Sequence, residues 1–136
     1  MGLSCVDLEE TRLLVSEGKS VELECRKPRT DNPTIAVWKY RKSAGQAAVR
    51  LSYNRRIKLG LRTGRYSVKA LNDSEEGMLD FSLMIRRVSR YDEGSYTCLI
   101  ADQTAETRHV VHLDVAGLYS VDCITPSNSA NQSINQ

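Results

Sequence analysis

The sequence predicts an all-β sandwich of two antiparallel sheets, and three observations predict it. Residues 20–26 alternate, with Val21, Leu23 and Cys25 facing one way and Ser20, Glu22 and Glu24 the other. Period two is the mark of a strand with one buried face. Similar runs recur along the chain between clusters of turn-forming residues, and no stretch sustains a helical period. The third observation is Asp92-Glu93-Gly94-Ser95-Tyr96-Thr97-Cys98, with Cys25 and the single tryptophan, Trp38, upstream. Gly94 permits a tight corner there. Tyr96 and Cys98 lie two apart, so on a strand they share one face, and that face is the expected core.

Taken in order, residues 6–9 and 11–16 form the first strand, opened by Cys5, and Glu17-Gly18-Lys19 turns. The alternating strand 20–26 follows, then a polar loop over 28–33. Strand 35–41 turns Trp38, Ala36 and Tyr40 inward and Val37, Lys39 and Arg41 outward. Residues 43–46 turn, and 47–53 return as a hairpin strand with Ala48 and Arg50 outward. Residues 54–65 are a basic stretch carrying Arg55, Arg56, Lys58, Arg62 and Arg65. A strand over 66–70 leads to an acidic turn at 71–77, where Asn72-Asp73-Ser74 is a glycosylation sequon. Strand 78–86 buries Phe81, Leu83 and Ile85, and Val88 enters the corner. Strands 94–101 and 107–116 complete the sandwich, the last with Val111, Leu113 and Val115 inward. The domain thus spans 5–117. Residues 118–136, rich in Ser, Asn and Gln, read as a polar stalk or tail, largely disordered, with a second sequon at Asn131.

These residues resemble the immunoglobulin superfamily, specifically its variable-type (V-set) domains, over about residues 6–116. The run from Gly45 to Tyr53 is similar to the C–C′ hairpin of antibody light-chain variable domains. The resemblance implies a Cys25–Cys98 disulfide across the core with Trp38 packed on it. It implies that the Tyr96 hydroxyl returns to the backbone upstream, and that Arg65 and Asp92 pair at the base of the sandwich. Rearranging antigen receptors carry Phe-Gly-x-Gly at the start of the last strand. This chain has Ala105-Glu106-Thr107-Arg108-His109, which points instead to a non-rearranging receptor, ligand or adhesion molecule.

Four cysteines, two of them in the signature, point to an oxidising compartment, hence an extracellular domain, on the cell surface or secreted. Cys5 and Cys123 flank the domain, and three pairings stay open for them: with each other, between chains, or with parts of a longer protein. Met1-Gly2 runs straight into polar sequence and reads as a cloning remnant ahead of a mature ectodomain. No run approaches 18 apolar residues, so membrane association is expected only through an anchor outside this sequence. Catalysis is not expected. His109 and His112 lie three apart on a strand, so they point to opposite faces, and no phosphate loop or metal-ligand cluster is present. No cofactor is expected.

Two surfaces compete for the function. V-set domains that pair generally use the sheet of strands G, F, C and C′. Its outward side here presents Val37, Leu99, Ala101 and Val110 as an apolar centre, with Thr97 between. Lys39, Arg41, Arg50, His112 and Asp114 form the rim, an arrangement typical of protein interfaces. The expected partner is another protein, with a second copy of the chain as one candidate. The alternative is an immune module that binds anionic glycans or microbial surfaces through Arg55, Arg56, Lys58 and Arg62 at the C″–D edge. Nucleic acid is not expected, because no aromatic residues interleave these bases as a stacking platform.

Overall fold

The computed structural model describes residues 5–58, 64–69 and 77–117, with only the backbone for residues 5–7. Eleven strands run in chain order: β1 (Cys5–Ser16), β2 (Val21–Leu23), β3 (Arg26–Pro28), β4 (Ile35–Arg41), β5 (Val49–Tyr53), β6 (Arg56–Ile57), β7 (Tyr66–Val68), β8 (Met78–Asp80), β9 (Leu83–Ile85), β10 (Gly94–Ala101) and β11 (Ala105–Ala116). The front sheet has six strands in the order β1-β11-β10-β4-β5-β6. The back is divided between β2-β9-β7 and β3-β8. Every pairing is antiparallel except β1 with β11, which runs parallel from Cys5 opposite Ala105 to Ser16 opposite Ala116.

The inward faces of the two sheets supply the core. Leu23, Cys25, Trp38, Leu83, Ile85, Tyr96, Cys98 and Ile100 are all completely enclosed. Cys25 and Cys98 are disulfide-bonded, with Cα atoms 6.3 Å apart. Trp38 stands directly opposite Cys98 across the β4–β10 ladder, and its indole N–H donates to the Phe81 carbonyl at 2.7 Å.

The expected strands 20–26 and 78–86 are each broken in two, and for one shared reason. At Cys25 the backbone N–H donates to the Ser82 hydroxyl at 3.1 Å rather than to a ladder carbonyl, while the Phe81 N–H donates to the Cys25 carbonyl. Asp80 Oδ1 in turn accepts from the Ser82 hydroxyl and N–H at 2.6 and 3.0 Å. The strand that carries the disulfide is therefore tied to its neighbour partly by buried side chains. Burial works against the Asp80 carboxylate, but the Ser82 hydrogen bonds and the nearby Lys69 and Arg26 outweigh it and hold its pKa below the usual range.

The corner before β10 is built around Asp92. A 3-10 turn over Arg90–Asp92 is capped by Ser89, whose hydroxyl accepts from the Tyr91 N–H while Asp92 Oδ2 accepts from the Ser89 N–H. The Arg65 guanidinium grips the Asp92 carboxylate with two bonds, 2.8 and 2.9 Å. The Tyr96 hydroxyl donates to the Asp92 carbonyl at 2.6 Å, and burial drives its pKa far above the ordinary tyrosine range. Gly94 has φ +147, and a Cβ there would lie 2.6 Å from the Arg41 carbonyl oxygen, so this position has room only for glycine. At the opposite end, Lys27 of β3 reaches Asp102 at 2.9 Å, joining the two sheets with side chains that are 10% and 1% exposed. That bond from Lys27, together with the Thr104 N–H and hydroxyl, depresses the Asp102 pKa strongly.

Three stability predictions follow from these contacts. Replacing both Cys25 and Cys98 with Ala opens a loop of 73 residues' separation and is expected to cost about 2–5 kcal/mol, read as a lowered melting temperature. Arg65→Ala leaves the Asp92 carboxylate enclosed and without its cation. The expected loss in denaturant titration is about 3 kcal/mol, the low end for a severed buried pair because Arg65 keeps some contact with water. Asp80 and Asp102 both have folded pKa values below their unfolded ones. Their contribution is therefore present above the unfolded Asp pKa of about 3.9 and lost as pH falls through the folded values. The melting temperature should drop steeply below about pH 4, and less steeply in Asp80→Asn and Asp102→Asn than in the parent.

Candidate functional site: the outward face of the front sheet

The register of the front sheet sorts its outward side chains into transverse rows. One row runs Leu8, Arg108, Leu99, Val37 and Tyr53 across β1, β11, β10, β4 and β5. The next runs Glu10, Val110, Thr97, Lys39 and Arg50 across the same five strands. A third runs Arg12, His112, Ser95 and Arg41. Val37, Leu99, Ala101 and Val110 are all half-buried, so the apolar centre is a floor rather than a set of protruding side chains. A shallow depression of about 550 Å³ lies over it, bordered by Leu8, Glu10, Lys39, Arg41, Arg108 and His112 among others.

The floor is laterally asymmetric in charge. On the β4–β5 side stand Lys39, Arg41 and Arg50, all exposed, with no outward carboxylate in these rows. On the β1–β11 side Glu10, Glu106 and Asp114 accompany Arg12 and Arg108, with Arg108 paired to Glu106 at 2.8 Å and Arg12 to Asp114 at 3.6 Å. His112 bridges the Ser95 hydroxyl at 3.0 Å and Glu10 at 3.2 Å. His109 faces the other way, toward Glu9 at 3.0 Å, so the two histidines are separated by the sheet.

The hairpin return differs from the expected alternation. A register shift between Trp38 and Lys39 inserts an extra residue in β5, so Leu51 and Ser52 are both buried. Beyond the bulge the phase reverses. Tyr53, which simple alternation from Arg50 turns inward, stands outward beside Val37 and is 46% exposed. Leu8 joins the same face, because its pairing with Arg108 brings β1 onto this sheet, a long-range contact that local alternation does not reveal. It is 60% exposed.

The basic stretch needs a larger correction. Arg55 is not offered to solvent. Its guanidinium donates to the Lys69 and Asp80 carbonyls at 2.8 and 2.7 Å and lies 4.1 Å from the Phe81 ring centre. Desolvation lowers its pKa, and it works as a clasp between β6 and the back sheet. Arg56 and Lys58 are exposed, while Arg65 holds Asp92. Arg62, Asn72, Cys123 and Asn131 lie outside the described residues, as does the Cys5 side chain.

A bridged two-sheet sandwich with tryptophan on the bridge, a tyrosine-filled corner and a C′ hairpin defines a variable-type immunoglobulin domain. The family model for the immunoglobulin V-set domain matches residues 8–116, and the chain belongs to that family. No curated protein matches the sequence. Among solved structures, the chain is similar to one from a study of multimeric cell-adhesive interactions of voltage-gated sodium channel beta subunits. The identity is 16% and the TM-score 0.62, over 79% of this chain and 92% of that one. It is also similar to the extracellular domain of the sodium channel beta4 subunit, described as a parallel homodimer with a role in cell–cell adhesion. There the identity is 15% and the TM-score 0.61, over 80% and 92% of the two chains. At these identities the likeness is one of fold.

Proposed function

We propose that this chain is the recognition domain of an extracellular adhesion or receptor protein, that it binds another protein through the outward face of the front sheet, and that a second copy of itself is the favoured partner. The polar segment 118–136 would act as its tether. The observation that carries this reading is the charge pattern across the apolar floor. Two copies placed face to face about a two-fold axis parallel to the strands exchange left and right but keep each row opposite itself. Leu99, on the middle strand, then meets its own copy. Leu8 meets Tyr53, Arg108 meets Val37, Glu10 meets Arg50 and Val110 meets Lys39. Leu99 on its own copy and Leu8 on Tyr53 are apolar contacts, and Glu10 on Arg50 is an opposite-charge contact at the rim. The adhesive, homodimeric behaviour described for the sodium channel beta subunits supports the same direction.

Sedimentation velocity across a concentration series tests the proposal. The parent chain is expected to self-associate, and Leu99→Arg or Val37→Arg to leave monomers with unchanged melting temperature, because the first sets a charge against its own copy and the second sets one against the partner's Arg108. Glu10→Arg and Arg50→Glu should each weaken association, and an equimolar mixture of the two variants should recover it in part. A parent chain that stays monomeric at millimolar concentration rules out the homophilic reading. Normal association of both centre variants removes the front sheet as the site.

A further inference from the structure

The pole opposite the β3–β4 and β10–β11 turns, at 29–34 and 102–104, carries a second surface, made by the approach to the Asp92 corner. Ile85 is buried, so Arg86, one residue on, projects outward. Arg87 adopts φ +52, a left-handed turn conformation uncommon for a residue with a side chain. That turn lets Val88 drop into the core at 1% exposure while Arg87 stays in solvent. Asp92 is drawn inward by Arg65, and this forces the other two residues of its short 3-10 turn, Arg90 and Tyr91, to the outside. Tyr91 is 81% exposed, the most exposed of the large apolar or aromatic side chains among the described residues. Lys19 joins them, since its carbonyl accepts from the Val88 N–H at 2.8 Å.

Two carboxylates of this pole are engaged within the fold. Asp92 is enclosed under Arg65, and Glu93 Oε2 accepts from the Val115 N–H at 2.8 Å, while Glu17 of the adjoining turn is half-buried. No carboxylate of the described residues pairs with Lys19, Arg86, Arg87 or Arg90. Arg86 spends one donor on the Gly64 carbonyl at 3.0 Å and keeps the rest. The pole therefore presents Arg86, Arg87, Arg90 and the exposed Tyr91 ring within six positions, with Lys19 on the neighbouring turn.

We propose that this pole binds the sulfate groups of a sulfated glycosaminoglycan. Guanidinium forks match the oxygens of sulfate two at a time, which a lysine-rich patch does not do. The flat, exposed Tyr91 ring, next in sequence to Arg90, offers a sugar a stacking surface. The patch is built on a hydrogen-bonded turn tied to the core, so its arginines start from a fixed backbone and less ordering is needed on binding. It lies at the end of the sandwich, and a polysaccharide held there leaves the front face open to a protein partner.

Heparin affinity chromatography and titration with a heparin oligosaccharide test this on the full chain. The parent should be retained at about 0.15 M salt and elute as salt rises. Arg86→Gln/Arg87→Asn/Arg90→Gln, in which asparagine suits the left-handed position, should keep the parent melting temperature and bind about tenfold more weakly. Arg56→Gln/Lys58→Gln should bind heparin as the parent does. Backbone NMR shifts of the unmutated chain on adding the oligosaccharide should centre on residues 86–91. Unchanged retention of the triple variant, shifts centred elsewhere, or binding to phosphatidylserine vesicles without retention on heparin would each overturn the proposal.

Discussion

The Cys25–Cys98 bridge, with Trp38 lying opposite Cys98, is the constraint on which the remaining geometry depends. It ties β10 at the middle of the front sheet to the back of the sandwich at one point. Once Cys98 and Trp38 are both turned inward, alternation obliges Leu99 and Val37 outward on adjacent strands, directly opposite one another. The apolar centre of the front face is thus the reverse side of the core bridge. A slip of one residue in the β4–β10 ladder would move both sets together and expose the disulfide.

The ends of β10 are held by different chemistry. At one end Gly94 lets the chain pass against the Arg41 carbonyl, and Tyr96 and Arg65 both fasten on Asp92. At the other, Lys27 and Thr104 hold Asp102. Each carboxylate is enclosed and satisfied by several donors, the condition under which a buried charge is tolerated in a core. One consequence is functional. Because Asp92 must face inward, the flanking Arg90 and Tyr91 must face outward, so a structural pair dictates what the nearby surface displays.

Charge is likewise divided between structural and surface duties. Arg26, Arg55, Arg65 and Lys69 form their bonds within the sandwich, whereas Lys39, Arg41 and Arg50 remain on the front face. A net charge of +2 conceals this division: among the described residues, Lys39, Arg41 and Arg50 group on the front face, Arg56 and Lys58 at its edge, and Arg86, Arg87 and Arg90 near the Asp92 corner. The first and last of these groups belong to the surfaces proposed for recognition.

The sequence by itself determined the sandwich, the bridge, the tryptophan and tyrosine placements, the Arg65–Asp92 pair and most of the front-face centre. The sandwich and the front-face centre rest on local alternation, which suffices where the backbone is regular, while the bridge, the tyrosine corner and the Arg65–Asp92 pair rest on the resemblance to V-set domains. Tertiary structure alone decided the outward turn of Tyr53, because a bulge changes phase without leaving a mark in an alternating run. It decided that Leu8 and Glu10 belong to the front face, since the choice of partner for β1 is a long-range pairing. It also decided that Arg55 is a clasp and not a surface cation, because its acceptors are main-chain carbonyls 14 and 25 residues away, and carbonyls carry no signature in sequence.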